Sequence, residues 1–166
     1  MQVTTHDGMG AIDLGDAVWP CYDAVFGDVA DPASWRAETF DRHAGRAGYR
    51  LVTAIDDAGT VAGFAWGYVG EPGQYWTDLV SRTLPADVVA EWVGGHFEVV
   101  ELAVLPAYRR RGLGRLLHDR LLDGVGRKAL LSTSDDPKDP AVLLYLAAGW
   151  QPLGTVRDGV QVLGRP

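Results

Sequence analysis

The stretch "FEVVELAVLPAYRRRGLGRLL", residues 97–117, decides the fold, because an apolar strand pattern changes into a helical one within it. Residues 97–105 are nearly continuous in apolar side chains, which predicts a central strand covered on both faces. Pro106 ends this strand, and leucines at helical spacing then predict an amphipathic helix: Leu113, Leu116, Leu117 and Leu121. The first free N–H groups of that helix are therefore expected at the carboxyl end of a buried strand, where anions bind.

Glycines and arginines at this helix start favour a phosphorylated ligand. Gly112 and Gly114 have no side chain, so a pyrophosphate can approach the main chain, and the helix dipole adds about half a positive charge. The arginines of this region add charge-assisted hydrogen bonds: Arg109, Arg110, Arg111 and Arg115. A P-loop is excluded, because Arg115 and Leu116 follow Gly114 where Lys and Ser/Thr are required. The dinucleotide fingerprint is excluded as well, because Leu117 stands at its third glycine and no acidic residue ends a following strand at the expected distance.

Length, charge and cysteine content restrict the classes of protein that remain. The 166 residues fit one domain, residues 1–166, with one core. A net charge of -7 and a pI near 4.9 have the wrong sign for binding nucleic acid or an anionic membrane, so the arginines act locally. The single Cys21 excludes an internal disulfide, and the four histidines lack zinc-site spacing, so no metal is expected. The early Asp7 and the lack of a long apolar stretch predict neither signal peptide nor membrane span, which makes the cytoplasm the expected location.

Local patterns along the rest of the chain predict short, mixed elements. Asp31 is expected to cap a helix that begins at Pro32 and ends before Gly48, and a turn at residues 57–59 joins two antiparallel strands. Further patterns predict helices at residues 11–26, 86–92 and 141–148, a strand at residues 128–134, and two last strands around residues 157–159. Helices interleaved with hairpins and one strand–helix–strand unit predict an α/β protein of the α+β type, a single mixed sheet flanked by helices.

Two motifs resemble a known enzyme family. The order Arg-x-x-Gly-x-Gly, with Arg109, Gly112 and Gly114, stands within "ELAVLPAYRRRGLGRLL" and resembles the signature of the GCN5-related N-acetyltransferase (GNAT) superfamily. Downstream, "DPAVLLYLAAGW" is similar to the second motif of that family, Asn-Pro-Ala followed by Leu-Tyr, three residues and Gly-Phe or Gly-Trp. Together the two motifs cover about residues 97–152, with the separation that an intervening helix and strand require.

The resemblance implies the acyl-CoA N-acyltransferase fold and acetyl-CoA as the cofactor, with CoA as product. In this fold a mostly antiparallel sheet is splayed, so that the strand ending at Val104 and the strand at residues 129–134 part at their carboxyl ends and an acyl-CoA lies in the opening. The implied cofactor contacts are the strand segment Leu102, Ala103 and Val104, the loop Arg109, Arg110, Arg111, Gly112, Leu113, Gly114 and Arg115, and Tyr145. Asp139 stands where the family has Asn; it keeps an acceptor and helix cap but loses an amide donor.

The implied reaction moves an acetyl group to a primary amine of a small molecule or a protein. An aliphatic amine has a pKa near ~10 and is mostly protonated at neutral pH, so a base is useful. Glu98 and Glu101 are the only ionisable side chains of the central strand; Glu98, six residues before Val104, matches the position of the base in related enzymes and is slightly preferred. Glu101 points to the other face of a regular strand, but a β-bulge would reverse that parity. The alternative to a catalytic role is that one glutamate lies near solvent at the start of the strand and the other pairs with an arginine.

Other side chains receive roles by analogy. Tyr145 matches the tyrosine that serves as general acid in the family, whereas its place on an apolar stripe fits a core tyrosine equally well. The oxyanion is expected to be held by a strand amide near Leu102. Four aromatic residues are hypothesised to line an acceptor pocket: Trp66, Tyr68, Tyr75 and Trp76. The alternative is that they are core residues, as most aromatic side chains are. His118 is expected on the solvated side of its helix.

Two further functional classes compete with the enzyme. A non-catalytic acyl-CoA-binding or sensor module would keep the same fold and cofactor site without the transfer. DNA binding through "RRR" is disfavoured by the acidic net charge. Dimers are common in the family that this chain resembles, which leaves a homodimer open.

Overall fold

The computed structural model describes residues 1–166, with seven α-helices and seven strands. The helices are α1 (Gly15–Val25), α2 (Pro32–Trp35), α3 (Asp41–Ala44), α4 (Tyr75–Thr83), α5 (Ala86–Trp92), α6 (Leu113–Leu122) and α7 (Pro140–Ala147). The strands are β1 (Gln2–Asp7), β2 (Arg50–Ile55), β3 (Val61–Val69), β4 (Phe97–Val104), β5 (Ala129–Ser134), β6 (Gln151–Arg157) and β7 (Val160–Arg165). Segments of other helical type are the 3-10 turns Gly8–Leu14 and Pro106–Tyr108 and the π-helical Arg36–Phe40.

The strands form a sheet in the order β1-β2-β3-β4-β5-β7-β6. β1 with β2, β2 with β3, β5 with β7 and β6 with β7 pair antiparallel, whereas β4 and β5 run parallel. The parallel pairing joins Phe97 to Ala129 and Glu98 to Leu130, at the first residues of both strands. The predicted class, an α/β protein of the α+β type with a mixed, mostly antiparallel sheet flanked by helices, is confirmed.

The chain divides into two compact units. The first comprises Met1–Tyr68 and Val100–Gly124, and the second comprises Val69–Val99 and Val125–Pro166, so that β4 begins in the second unit and ends in the first. The assignment of residues 1–166 to a single domain stays a prediction. No helix in either unit combines the length and the apolar character that crossing a bilayer requires.

In the first unit, the core forms around β2 and β3, which are buried along nearly their whole length because their sequences are almost continuously apolar. Side chains of the preceding helical segments pack on these strands, and together with two rings of β3 they form the aromatic cluster: Tyr22, Trp35, Phe40, Phe64 and Trp66. The rings of Phe64 and Trp66 stack with their centroids 5.1 Å apart. Burying each such side chain stabilises the fold by about 1.5–3 kcal/mol, so this cluster is a main source of its stability.

Helix α6 packs on β2 through a stripe that differs from the predicted one. Leu113, Leu117 and Leu121 are buried as expected, but Leu116 is 42% exposed. His118, expected in solvent, is fully buried, and its Nδ1 lies 2.8 Å from Asp119 Oδ1. Both predictions are wrong because the buried arc of α6 lies towards position 118 rather than 116, and helical spacing alone admits both arcs.

The carboxyl end of α6 is held by one arginine of β2. Arg50 Nη1 donates to the carbonyl oxygens of Leu121 at 3.2 Å and Asp123 at 2.5 Å. Its Nε donates to Asp7 Oδ1 on β1 at 3.0 Å. A cation at the carboxyl end of a helix satisfies carbonyls that have no helical partner and opposes the helix dipole. The position of α6 against the sheet is therefore fixed at the end opposite to its amino terminus.

In the second unit, a smaller apolar cluster lies between α4, α5 and the strands, and its buried members are Val80, Leu84, Trp92, Leu130 and Val162. Gly164 permits this packing, since a Cβ atom there would lie 2.8 Å from the Trp92 ring. β5 pairs with β7 from Ala129 to Ser134 and carries no ionisable side chain.

Several local predictions are confirmed and two elements are missed. Asp31 caps α2, its carboxylate accepting from the Ser34 amide at 2.9 Å, and α5 spans the predicted residues 86–92. The first two predicted helices are shorter than expected: 3-10 geometry precedes α1, and a π-helical segment interrupts the second, which ends at Ala44. β1 and α4 were not predicted, because both are short and only their packing against β2 and β6 distinguishes them.

Candidate active site

The amino-terminal end of α6, with its glycines and arginines, is open. α6 begins at Leu113 behind Gly112, whose φ of +78° lies in the left-handed region that favours glycine. The amides of Gly112, Leu113 and Gly114 donate to no acceptor within the protein. A Cβ atom at Gly112 would meet no atom within 4 Å. Unpaired amides at a helix amino terminus, with free space above them, suit an anion such as a diphosphate.

The four arginines of this region have different surroundings. Arg109 Nε donates to the carbonyl oxygen of Val104 at 2.8 Å, which ties the residues after β4 to the end of that strand. Arg115 Nε donates to both carboxylate oxygens of Asp119, at 2.8 and 2.7 Å. Arg110 and Arg111 are exposed and form no ion pair. Arg111 borders a cavity of about 300 Å³, lined otherwise by Met1, Tyr108, Gly112, Leu113 and Leu116. Arg110 and Arg111 are therefore the two arginines of this region whose side chains have neither an ion pair nor a hydrogen bond within the protein.

β4 leads into this loop, and its last residues are buried to different degrees. Val100 and Ala103 both belong to the apolar core of the first unit, although a regular strand would place residues three apart on opposite faces. Leu102 is half-buried, Ala103 is buried, and Val104 is 9% exposed.

Glu101 is the side chain with the most altered acidity near this end of β4. It is half-buried and forms no ion pair. Burial raises its pKa from 4.5 to about 8, and the negative charge of Asp28 adds to the shift. The pKa of Tyr22 is raised as well, by burial first and then by the charges of Glu101 and Asp28. Glu101, Tyr22 and Asp28 are therefore electrostatic neighbours within the first unit.

Tyr22 and Asp28 were not predicted as part of a site. They belong to α1 and the loop after it, and no motif marks them, because their relation to Glu101 exists only after α1 packs on the sheet. An aspartate in a Gly-Asp loop directly after an aromatic helix end is a weak signal that many surface loops share. Cys21, in the same helix, is buried, and burial raises the pKa of its thiol to about 11.

Glu98 belongs to the second unit. It lies at the start of β4 opposite Leu130 of β5 and is only 5% exposed. The two candidate bases thus differ in access to solvent: Glu98 is buried, whereas Glu101 is half-buried.

The second predicted motif forms α7. Asp139 caps this helix, accepting from the Ala141 amide at 2.8 Å, as predicted for its carboxylate. Tyr145 is 7% exposed, and its ring centroid lies 5.8 Å from that of Trp150. The structure therefore places Tyr145 in a mostly buried, aromatic environment of the second unit.

The four aromatics proposed for an acceptor pocket are not equivalent. Trp66 is fully buried and Tyr68 is 2% exposed, and both lie in the core of the first unit. In the second unit Tyr75 is 71% exposed on α4, while the half-buried Trp76 donates from Nε1 to Ser132 Oγ at 3.1 Å. Tyr75 and Trp76 present surface to a ligand, and Trp66 presents none.

Comparison with known proteins agrees with the two motifs. A family model described as the acetyltransferase (GNAT) family matches residues 12–150. The "GCN5-like protein acetyltransferase Rv2170" of Mycobacterium tuberculosis is 40% identical over 79 residues, which cover 44% of this chain and 38% of that protein. A second curated relative, a protein of Mycobacterium leprae, is 29% identical over 120 residues, and the two matches span 38% and 28% of the relatives' own lengths.

Solved structures show the same fold at low sequence identity. The histone acetyltransferase HPA2 and related acetyltransferase from Corynebacterium glutamicum has a TM-score of 0.64 and 16% identity, covering 100% of this chain and 97% of that one. The PaiA N-acetyltransferase of Thermoplasma acidophilum, in complex with coenzyme A, has a TM-score of 0.58 and 11% identity, covering 99% of both chains. These likenesses extend to nearly the whole chain and show the fold.

Proposed function

Because this chain belongs to the acetyltransferase (GNAT) family, we propose that it transfers an acetyl group from acetyl-CoA to a primary amine of a small molecule or a protein. The observation that carries this proposal is the open start of α6, where three successive amides have no acceptor in the protein. A helix start with donors only and a left-handed glycine cap suits a diphosphate.

The residues present fit the cofactor. The amides of residues 110–115 would hold the diphosphate, with Arg110 and Arg111 adding charge-assisted hydrogen bonds. The main chain of Leu102, Ala103 and Val104 would bond the pantetheine arm; the Val104 carbonyl already accepts from Arg109, so its amide is the group left for this role. Acetyl-CoA supplies the activated acyl group, a thioester carbonyl.

We assign the role of general base to Glu101, with Glu98 as the alternative. A pKa of about 8 lies closer to the pKa of an alkylammonium ion than the pKa of an ordinary glutamate does. Proton transfer from the amine to Glu101 is therefore less unfavourable. Its partial exposure also gives an amine or a relaying water a route to it, which the buried Glu98 lacks. The amine proton goes to Glu101 as the nitrogen bonds to the carbonyl carbon.

The remaining steps use groups that the family resemblance assigns. As the C–S bond breaks, the Tyr145 hydroxyl gives its proton to the thiolate, so that the amide and the free thiol of CoA are the products. A main-chain amide near Leu102 stabilises the negative charge on the carbonyl oxygen. Asp139 contributes as the cap of α7, and it lacks the amide donor with which Asn would contact pantetheine.

The acceptor is proposed by charge and surface. A net charge of -7 attracts cationic amines and repels acidic acceptors. Tyr75 and Trp76 are the aromatic side chains we expect to contact it.

The test is thiol release from acetyl-CoA with a panel of alkylamines, arylamines and peptides, combined with calorimetry of CoA binding. Acetyl transfer to at least one amine, with Tyr145→Phe slowing turnover while CoA binding persists, is the expected result. Tight CoA binding without transfer to any amine or lysate protein would instead identify an acyl-CoA-binding module. Lack of CoA binding would remove both functions.

A further inference from the structure

Tyr108 joins the start of the anion loop, residues 109–115, to a distant hairpin turn. It is the last residue of the 3-10 turn Pro106–Tyr108, and its amide donates to the Leu105 carbonyl at 2.9 Å. Its hydroxyl donates to Asp56 Oδ2 at 2.5 Å, across a sequence separation of 52 residues. A short hydrogen bond to a carboxylate belongs to the stronger class of protein hydrogen bonds.

Asp56 is itself held in place by the turn between β2 and β3. Its Oδ1 accepts from the amides of Ala58 at 2.9 Å and Thr60 at 2.8 Å, and its own amide donates to the Thr60 carbonyl at 2.9 Å. One carboxylate oxygen therefore orders the turn, while the other is directed to Tyr108. The hydrogen bond from Tyr108 is also the main reason why the pKa of Asp56 lies below its usual value.

The anion loop needs such support, because part of its backbone is unfavourable. Arg110 has a φ of +62°, in the left-handed region of backbone conformation that residues other than glycine rarely adopt. Arg109 holds one point of the loop through Val104. Tyr108 is the residue directly before the loop, and the unpaired amides of Gly112, Leu113 and Gly114 follow it within six positions. A shift of Tyr108 would therefore move the amides that face the ligand.

We propose that Asp56 is a positioning residue for the cofactor, acting through Tyr108 to hold the anion loop in the conformation that binds the diphosphate. This inference rests on the proposed function, because it needs acyl-CoA as the ligand of the loop. Asp56 contacts none of the groups assigned to proton transfer, so its effect falls on cofactor affinity and leaves the chemical step unchanged.

The experiment compares Asp56→Asn, Tyr108→Phe and the double variant with a matched control, Asp57→Asn. Asp57 occupies the same turn but is 98% exposed and pairs with the amino group of Met1 at 2.8 Å. Calorimetry gives the Kd for CoA, and thiol release gives KM for acetyl-CoA and kcat. Both single variants are expected to raise Kd and KM by about tenfold, the order of a charge-assisted hydrogen bond, with kcat within twofold. The double variant is expected to match the worse single one, and Asp57→Asn to match the wild type.

Each other outcome is decisive. If the wild type binds CoA and both single variants bind it with the same Kd, the positioning role of Asp56 is overturned and the proposed function stands. Wild-type protein that fails to bind CoA overturns the proposed function itself. A fall in kcat at constant KM contradicts a positioning role. Thermal unfolding of every variant is measured alongside. If Asp56→Asn is unfolded, the Kd of Tyr108→Phe, which keeps the aromatic ring, decides whether the hydrogen bond positions the loop.

Discussion

Two helices of this chain follow a strand in the same way and begin in opposite ways. α6 follows β4 behind Gly112, which has no side chain to cap the helix, and its first amides have no acceptor. α7 follows β5 behind Asp139, whose carboxylate accepts from the Ala141 amide. The strands before the two helices also differ: β4 carries Glu98 and Glu101, whereas β5 carries no ionisable side chain. A helix start capped by its own protein is structural, and one left open is available to a ligand.

The carboxylates of β4 should have the largest effect on turnover. Replacing Glu101 by Gln removes the proposed base and is expected to lower kcat on the order of a thousandfold at an unchanged Kd for CoA. Since the pKa of Glu101 is about 8, wild-type activity should rise as the pH increases through 8, and the variant should lose that rise. Rate profiles from pH 6 to 10 measure this. Glu98→Gln is the matched control, and a loss confined to that variant would transfer the role to Glu98.

The same pKa predicts how stability depends on pH. A folded-state pKa raised from 4.5 to about 8 means that Glu101 contributes stability which is present below pH 4.5 and lost as the pH rises through 8. Glu101→Gln should therefore unfold at a higher temperature than the wild type at pH 9 and at nearly the same temperature at pH 4. Equal midpoints at pH 9 would show that Glu101 is not desolvated.

Giving α6 the cap that α7 has should abolish the difference between the two helix starts. Gly112→Asp introduces a carboxylate that competes for the open amides and repels a diphosphate, at a position whose φ of +78° also disfavours a side chain. CoA affinity is expected to fall by about a hundredfold or more, from charge repulsion and lost amide contacts together. Calorimetry measures the change, with Gly112→Asn as the uncharged control. Unaltered affinity in Gly112→Asp would place the diphosphate elsewhere.

A substitution at Tyr145 tests whether α7 contributes to the chemical step and not to anion binding. Tyr145→Phe removes only the hydroxyl and is expected to lower kcat about tenfold, because a thiol of ordinary pKa near ~8.5 leaves fairly well without a proton donor. The Kd for CoA should stay within about twofold, since no phosphate contact is lost. Single-turnover thiol release separates the two quantities. An unchanged rate would leave Tyr145 as a core residue beside Trp150.

The smallest effect is expected at the closed helix start. Asp139→Ala removes the cap of α7 and should lower the free energy of unfolding by about 1 kcal/mol, measured by urea denaturation. Asp139→Asn, which restores the residue usual in the family, should keep that stability. Tighter CoA binding by the Asn variant would reveal a pantetheine contact that the aspartate cannot make. Equal stability of all three proteins would mean that the cap contributes little.

Local patterns succeeded where neighbours in sequence determine the result. The cap at Asp31, the hairpin turn at residues 57–59 and the helix at residues 86–92 depend on contacts within a few residues, and each was predicted. The failures depend on packing. Leu116 and His118 exchange their expected environments because the sheet decides which arc of α6 is covered.

The sequence by itself determined the fold class, the family, and the strand–glycine–helix order that leaves amides open, since strand, turn and helix preferences are encoded over short distances. Only the tertiary structure decided which side chains meet near β4 and the loop that follows it. Tyr22 and Asp28 come near Glu101, and Asp56 meets Tyr108, because α1 and the β2–β3 hairpin pack beside β4. Such contacts join residues dozens of positions apart, and no local pattern of charge or hydrophobicity specifies them.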